Sequence, residues 1–221
     1  MKQLTLLCLL FFLIVGCKKK DQPKDLNPLE KIAYAHGLEH WDDVETIEFT
    51  FNVDRDTEHF ERSWSWKPKE NEVSHIDGDK VFTYNRSNIL SDKELAADKN
   101  FINDMHWLVA PYKLVWDRGI EYEGPFMEEA PVSKDSLQRI TITYDDQGGY
   151  TPGDAYDFYV DENNEVKEWI YREDNTTAQC MITTWEDYKE IEGLKIATMH
   201  QNENGVFKLY FTNINVVTTE K

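Results

Sequence analysis

The chain has 221 residues, with 24 Lys and Arg against 42 Asp and Glu and a formal net charge of −18. Nucleic-acid phosphates demand a basic footprint, so a surface this acidic excludes nucleic-acid binding. The length fits a single domain large enough to bury a substantial core.

The N-terminus has the three-part build of an export signal: Lys2, an apolar run from Leu4 to Val15, and Gly16 before Cys17. The run falls short of the roughly 20 apolar residues that span a bilayer, so residues 1–16 read as a removable signal peptide. Residues 17–27, which begin Cys17-Lys18-Lys19-Lys20-Asp21-Gln22-Pro23-Lys24, read as a polar tether whose lysines suit anionic headgroups. Cleavage before Cys17 removes one charged residue, Lys2, and leaves 23 basic against 42 acidic side chains. Cys8 leaves with the signal, so Cys180 has no thiol to pair with beyond Cys17 and is expected to be buried as a small apolar residue.

Residues 28–221 read as one antiparallel β domain with short helices. Asn27-Pro28 has the form of an N-cap followed by proline at the first helical position, and Gly37 suits the residue past a helix end, which predicts a helix over 28–36. From Val44 the period changes. Ile47, Phe49, Phe51 and Val53 alternate with Glu48, Thr50 and Asn52, the pattern of a strand with one buried and one wet face. Further strands are predicted at 58–67, 72–76 and 80–85, the last two joined by Asp77-Gly78. In the first of these, Trp64 and Trp66 lie two apart and share a face, with Phe60 and Arg62 continuing the row.

Ser91-Asp92-Lys93-Glu94 has capping-box spacing and opens a helix expected to close before Pro111, with Leu95, Ile102, Met105 and Val109 near one stripe. Strands follow at 137–145, 155–161, 165–173, 178–188, 194–202 and 206–216, with Asn204-Gly205 marking the last turn. Many short antiparallel strands with a packed helix predict a mainly β (α+β) fold, a strongly curved antiparallel sheet or incomplete barrel covered by a helix.

Three constellations invite chemistry. His36-Gly37-Leu38-Glu39-His40 matches the letters of the inverted zinc-protease motif, whose histidines must share a helical turn, yet glycine stands inside it where a helix stops. The segment Asp145–Asp154, with Asp157 nearby, offers hard oxygen ligands without the spacing of a calcium loop. Asp161-Glu162-Asn163-Asn164 reads as a polar hairpin tip. No nucleophile elbow or phosphate-cradling glycine loop is present in the sequence, so no catalytic residue, metal ligand or cofactor is assigned. The aromatic rows supply the candidate ligand-facing residues: Phe49, Phe51, Trp64 and Trp66.

Ile14-Val15-Gly16-Cys17 resembles the lipobox of bacterial lipoproteins, which implies diacylglycerol on the Cys17 thiol and a further acyl chain, such as palmitate, on its amino group. Several chains hold a protein on a membrane far better than one. The sorting patterns of such lipoproteins imply the periplasmic side of an outer membrane, because Lys18 stands where inner-membrane retention uses aspartate. With lipobox, early helix, curved sheet and mid-chain helix, the chain resembles bacteroidete-type lipoproteins and is similar in layout to lipoprotein carriers and receptors of the LolA and LolB type. That resemblance implies an unclosed barrel around an apolar cavity that takes acyl chains. Three readings stay open at this point: a membrane-tethered binder of an apolar or amphipathic ligand, a structural or interaction subunit with a filled core, and a glycan hydrolase built on paired carboxylates.

Overall fold

The computed structural model describes residues 23–145, 152–176, 178 and 181–219. The signal segment, Cys17 and Cys180 lie outside the described residues, as does most of the acidic 145–154 loop.

Helix α1 (Pro28–Ala35) begins on a capping box in which the Asn27 side chain accepts from Glu30 N–H and the Glu30 carboxylate accepts from Asn27 N–H. It ends at His36, and Gly37 then takes φ +91°, a conformation costly for a residue with a Cβ. Space enforces the same choice: a Cβ on Gly37 would meet the Gly193 carbonyl oxygen at 2.0 Å.

After a short 3₁₀ turn, strands β1 (Val44–Arg55), β2 (Glu58–Lys67), β3 (Glu72–Asp77) and β4 (Lys80–Asn85) form a meander. The predicted boundaries of these strands hold to within two residues. Helix α2 (Asp92–Trp116) then leads to β5 (Ile120–Glu129), β6 (Ser136–Tyr144), β7 (Ala155–Val160), β8 (Val166–Arg172) and β9 (Met181–Thr184). The hairpin β10 (Lys189–Ile191) and β11 (Leu194–Ile196) precedes β12 (Met199–Gln201) and β13 (Phe207–Thr218).

The strands form two larger antiparallel sheets, ordered β12-β13-β1-β2-β3-β4 and β5-β6-β7-β8-β9. The sheets meet where β9 runs beside β12: the Thr184 hydroxyl donates to the Gln201 carbonyl, Gln201 N–H returns to the hydroxyl, and Glu186 bridges Met199. The far edges, β4 and β5, remain apart and are linked by α2. The fold is thus mainly β, a curved and unclosed wall with one helix across its concavity. Rings place that helix: Phe101 packs on Trp64 and Trp66 of the first sheet, and His106 on Tyr156 and Trp169 of the second. One main hydrophobic cluster joins both sheets and both helices, and its members all lie at residue 29 or beyond. Among the described residues no helix is long and apolar enough to cross a membrane.

Four expectations are corrected. Helix α2 does not close before Pro111: the chain leaves helical geometry at Val109 (φ −124°, ψ 17°) and resumes, so Pro111 falls in the first turn of a second segment, where its missing N–H costs nothing. The buried stripe of α2 runs through Asp98, Phe101, Asp104, Met105 and Leu108, while Leu95 is exposed. β5 was not expected at all, because Gly124-Pro125 interrupts it; the pair sits at a register slip on an edge strand, where proline forfeits no ladder bond. Finally, the single strand expected over 194–202 is two, since β11 pairs with β10 and β12 with β13.

Candidate functional site

Period-2 alternation places Ile47, Phe49, Phe51 and Val53 on the concave face, and antiparallel pairing sets Trp66, Trp64, Arg62 and Phe60 opposite them in that order. α2 covers one end of this double row and leaves the other open. At the covered end, Trp41 packs on Trp66, Tyr112 and Trp116 with ring centroids 5.7, 5.3 and 4.3 Å apart. At the open end lies a hollow of about 1440 Å³ between the sheets, above the roughly 300–1,000 Å³ of ordinary small-molecule sites. Its apolar lining comes from both sheets and the helix, with Phe51, Phe60 and Leu209 on one side, Ile102 on α2, and Tyr156 and Trp169 opposite.

Of the four aromatics expected to face a ligand, Phe51 lines this hollow. Phe49, Trp64 and Trp66 are buried at or beneath the covered end and do not line it. The divide is a polar node. Asp104, fully buried, accepts from Arg62 Nε at 2.8 Å and Nη2 at 2.6 Å, and from Trp64 Nε1 at 2.8 Å. Arg62 lies over the rings of Phe51 and Phe60, so its charge is satisfied by Asp104 on one side while its stem and plane cover apolar surface on the other. A second buried carboxylate, Asp98, accepts from Arg86 Nε at 2.7 Å and from the Tyr84 hydroxyl at 3.1 Å. Sequence reasoning missed both, because a carboxylate on the buried stripe of a helix reads as a solvent-facing residue.

The deep wall is aromatic and polar at once. His106 stacks on Trp169 with centroids 5.5 Å apart, and Trp169 continues to Trp107 and Trp185, each of which meets His200. His106 Nε2 and Trp169 Nε1 are buried and have no hydrogen-bond partner among the described residues, which is uncommon for buried polar atoms. Burial holds the His106 imidazole well below its ordinary pKa, with Lys113 adding to the effect, and takes His200 down to about 3. Both rings are therefore neutral near pH 7. At the C-terminal end of α2, Asp117 is held by Lys113 Nζ at 2.8 Å and by the Tyr144 hydroxyl at 2.8 Å.

The zinc-like motif is broken by its own geometry. Gly37 turns the chain between the two histidines, so His36 caps α1 and His40 lies in the following 3₁₀ turn. His36 is buried, donates from Nδ1 to the Ile32 carbonyl at 2.7 Å, and sets Nε2 3.2 Å from the Tyr188 hydroxyl. Among the described residues no three His, Cys, Asp or Glu side chains converge as a metal ion needs. Asp154 and Asp157 from the acidic segment are engaged by protein: Asp154 takes the Tyr171 hydroxyl and Asp174 N–H, and Asp157 takes Arg172 and the Thr141 hydroxyl. The 161–164 tip is the tight polar turn expected, with Asp161 Oδ1 accepting from Asn163 and Glu165 N–H and Asn164 at φ +61°.

No family model matches the chain, and no curated protein matches it significantly. Among solved structures, it is similar to a DUF1329 family protein from Desulfovibrio piger, with 10% identity, TM-score 0.48, and 89% of this chain and 96% of that one covered. It is likewise similar to a LolA superfamily protein from Nitrosomonas europaea (7% identity, TM-score 0.44, 87% and 94% covered). A Vibrio parahaemolyticus domain named for outer membrane lipoprotein sorting gives 11% identity, TM-score 0.44, and 87% and 95% covered. The likeness to all three is one of layout.

Proposed function

We propose that the chain is a lipid-anchored protein of the cell envelope, facing the periplasm from the outer membrane, that binds an apolar or amphipathic ligand in the hollow beside α2. The hollow itself carries the reading: about 1440 Å³ with aromatic and aliphatic walls is space that a purely structural core would have filled with side chains. In this reading Phe51 meets the ligand, while Phe49, Trp64 and Trp66 hold the wall behind it. Binding rather than catalysis fits a site in which the carboxylates Asp104, Asp98 and Asp117 are tied in structural pairs with Arg62, Arg86 and Lys113.

Residues 18–221, which hold the entire described core, are expected to bind a fluorescent phospholipid saturably, and Ile102→Lys is expected to weaken binding because a desolvated charge beside an acyl chain costs several kcal/mol. No saturable binding by folded protein, with no lipid recovered by solvent extraction, would transfer support to an interaction subunit. Anchoring is tested separately. Wild-type cells should incorporate labelled palmitate into the protein and Cys17→Ser cells should not; equal labelling of the two removes the anchor.

A further inference from the structure

The charge around the hollow runs opposite to the charge of the chain. Over the whole sequence acidic residues outnumber basic ones 42 to 24, yet the hollow is lined by six Lys and Arg and by three carboxylates, Glu58, Asp117 and Asp145. Part of this excess is structural. Arg62, Arg86 and Lys113 are matched by Asp104, Asp98 and Asp117. The other three lining cations, Arg55, Lys99 and Arg118, are exposed and make no ion pair among the described residues. Arg55 lies over the Phe207 ring, whose centroid is 5.4 Å from the guanidinium carbon. Two carboxylates remain in the lining with them, Glu58, which stands opposite Arg55 in the β1–β2 register, and Asp145. Three cations against two carboxylates leave the lining with one positive charge in excess on an otherwise strongly negative molecule, and low-dielectric walls focus that potential.

We infer that the hollow takes an amphiphile with an anionic headgroup, its hydrocarbon against Phe51, Ile102 and Leu209 and its charge met by Arg55, Lys99 or Arg118. This rests on the proposal that the hollow binds an amphiphile at all, and adds the sign of its head. The shared chemistry is a carboxylate or a phosphodiester on an acyl chain. Either enters from water without burying the charge, because the three cations stand at the rim while the apolar lining lies within. Neutralisation by exposed cations is screened by salt, so the preference should decline as ionic strength rises.

Trp107 and Trp169 line the hollow and report on it directly. Quenching of their fluorescence in residues 18–221 is measured with 9,10-dibromostearic acid and with its methyl ester, and in parallel with brominated phosphatidylglycerol and brominated phosphatidylcholine. At low salt near neutral pH at least one anionic probe is expected to bind about tenfold tighter than its uncharged or zwitterionic counterpart. The acid pair reports a carboxylate head and the phospholipid pair a phosphodiester head. The triple variant Arg55→Gln, Lys99→Gln, Arg118→Gln should remove the preference while leaving the ester or phosphatidylcholine affinity and the circular dichroism spectrum unchanged. Equal affinities within both pairs, or a preference untouched by the triple variant, overturns the inference and leaves the amphiphile site standing. If none of the four probes binds, the site itself fails.

Discussion

The two ends of the β1–β2 ladder are built from one pattern and do different work. At the Val44 end, Ile47 and Phe49 face Trp66 and Trp64, and the 3₁₀ turn and α2 fill the space above them with Trp41, Phe101, Tyr112 and Trp116. At the Arg55 end, Phe51 and Val53 face Arg62 and Phe60, and the space above is a hollow. Burial hardly separates them, since Phe49 is 1% and Phe51 3% exposed. What separates them is which atoms stand on the far side, and a side chain beside a void has forfeited part of its dispersion contacts already.

The largest expected effect tests that difference directly. Phe49→Ala should cost about 3–5 kcal/mol in urea unfolding, as truncations in packed cores do, and Phe51→Ala about 1–2 kcal/mol because its far side is already empty. Equal losses would mean that the hollow is filled in solution and that the two ends are alike.

Next comes the node that divides them. Asp104→Ala strands the Arg62 charge and removes the acceptor of Trp64 Nε1, and should cost about 3 kcal/mol. Arg62→Met strands the carboxylate instead. The double replacement Asp104→Ala with Arg62→Met should recover about 2 kcal/mol relative to the sum of the single losses. Strict additivity would show that the pair is not a unit.

The smallest effect is a pH dependence shared by both ends. Burial lowers His36, at the filled end, to about 4, and His200, behind the hollow, to about 3. Unfolding releases each imidazole to an ordinary pKa near 6.5, where it takes up a proton that the folded protein refuses, so unfolding binds protons and stability falls as pH drops below about 6.5. At pH 5 each buried histidine should have removed about 2 kcal/mol relative to pH 7. His200→Phe should flatten the slope of stability against pH between 7 and 5; an unchanged slope would show that this ring is solvated.

How much of this was legible in the sequence follows from the length scale of each signal. The concave row of β1 and the same-face pairing of Trp64 and Trp66 are local alternations, and the structure keeps them. Asn27-Pro28, Ser91 with Glu94, and Asn204-Gly205 are local stereochemistry, and they mark the starts and turns as read. β5 was hidden because its permission for Gly124-Pro125 comes from being an edge, a property of sheet order that no short window contains. The Asp104 node was hidden because Arg62 and Asp104 are 42 positions apart, and each alone reads as a solvated charge. The hollow's cations are scattered from Arg55 to Arg118 on β1, β2, α2 and the links beside α2, so their convergence exists only after folding.

The placement of β1 also sets a condition in time. It is a central strand, held on one side by β2, which follows it at once, and on the other by β13, with Val44 opposite Thr218 and Arg55 opposite Phe207. Until the final strand has been made, the apolar row of β1 has one bare hydrogen-bonding edge, the kind that invites pairing with another chain. The wall of the hollow is therefore among the last things the chain completes, and a nascent protein without β13 depends on whatever shields that edge. With its decisive pairing spanning nearly the whole domain, refolding of the purified protein belongs to the slow, milliseconds-to-seconds class of non-local β topologies, which stopped-flow tryptophan fluorescence can check.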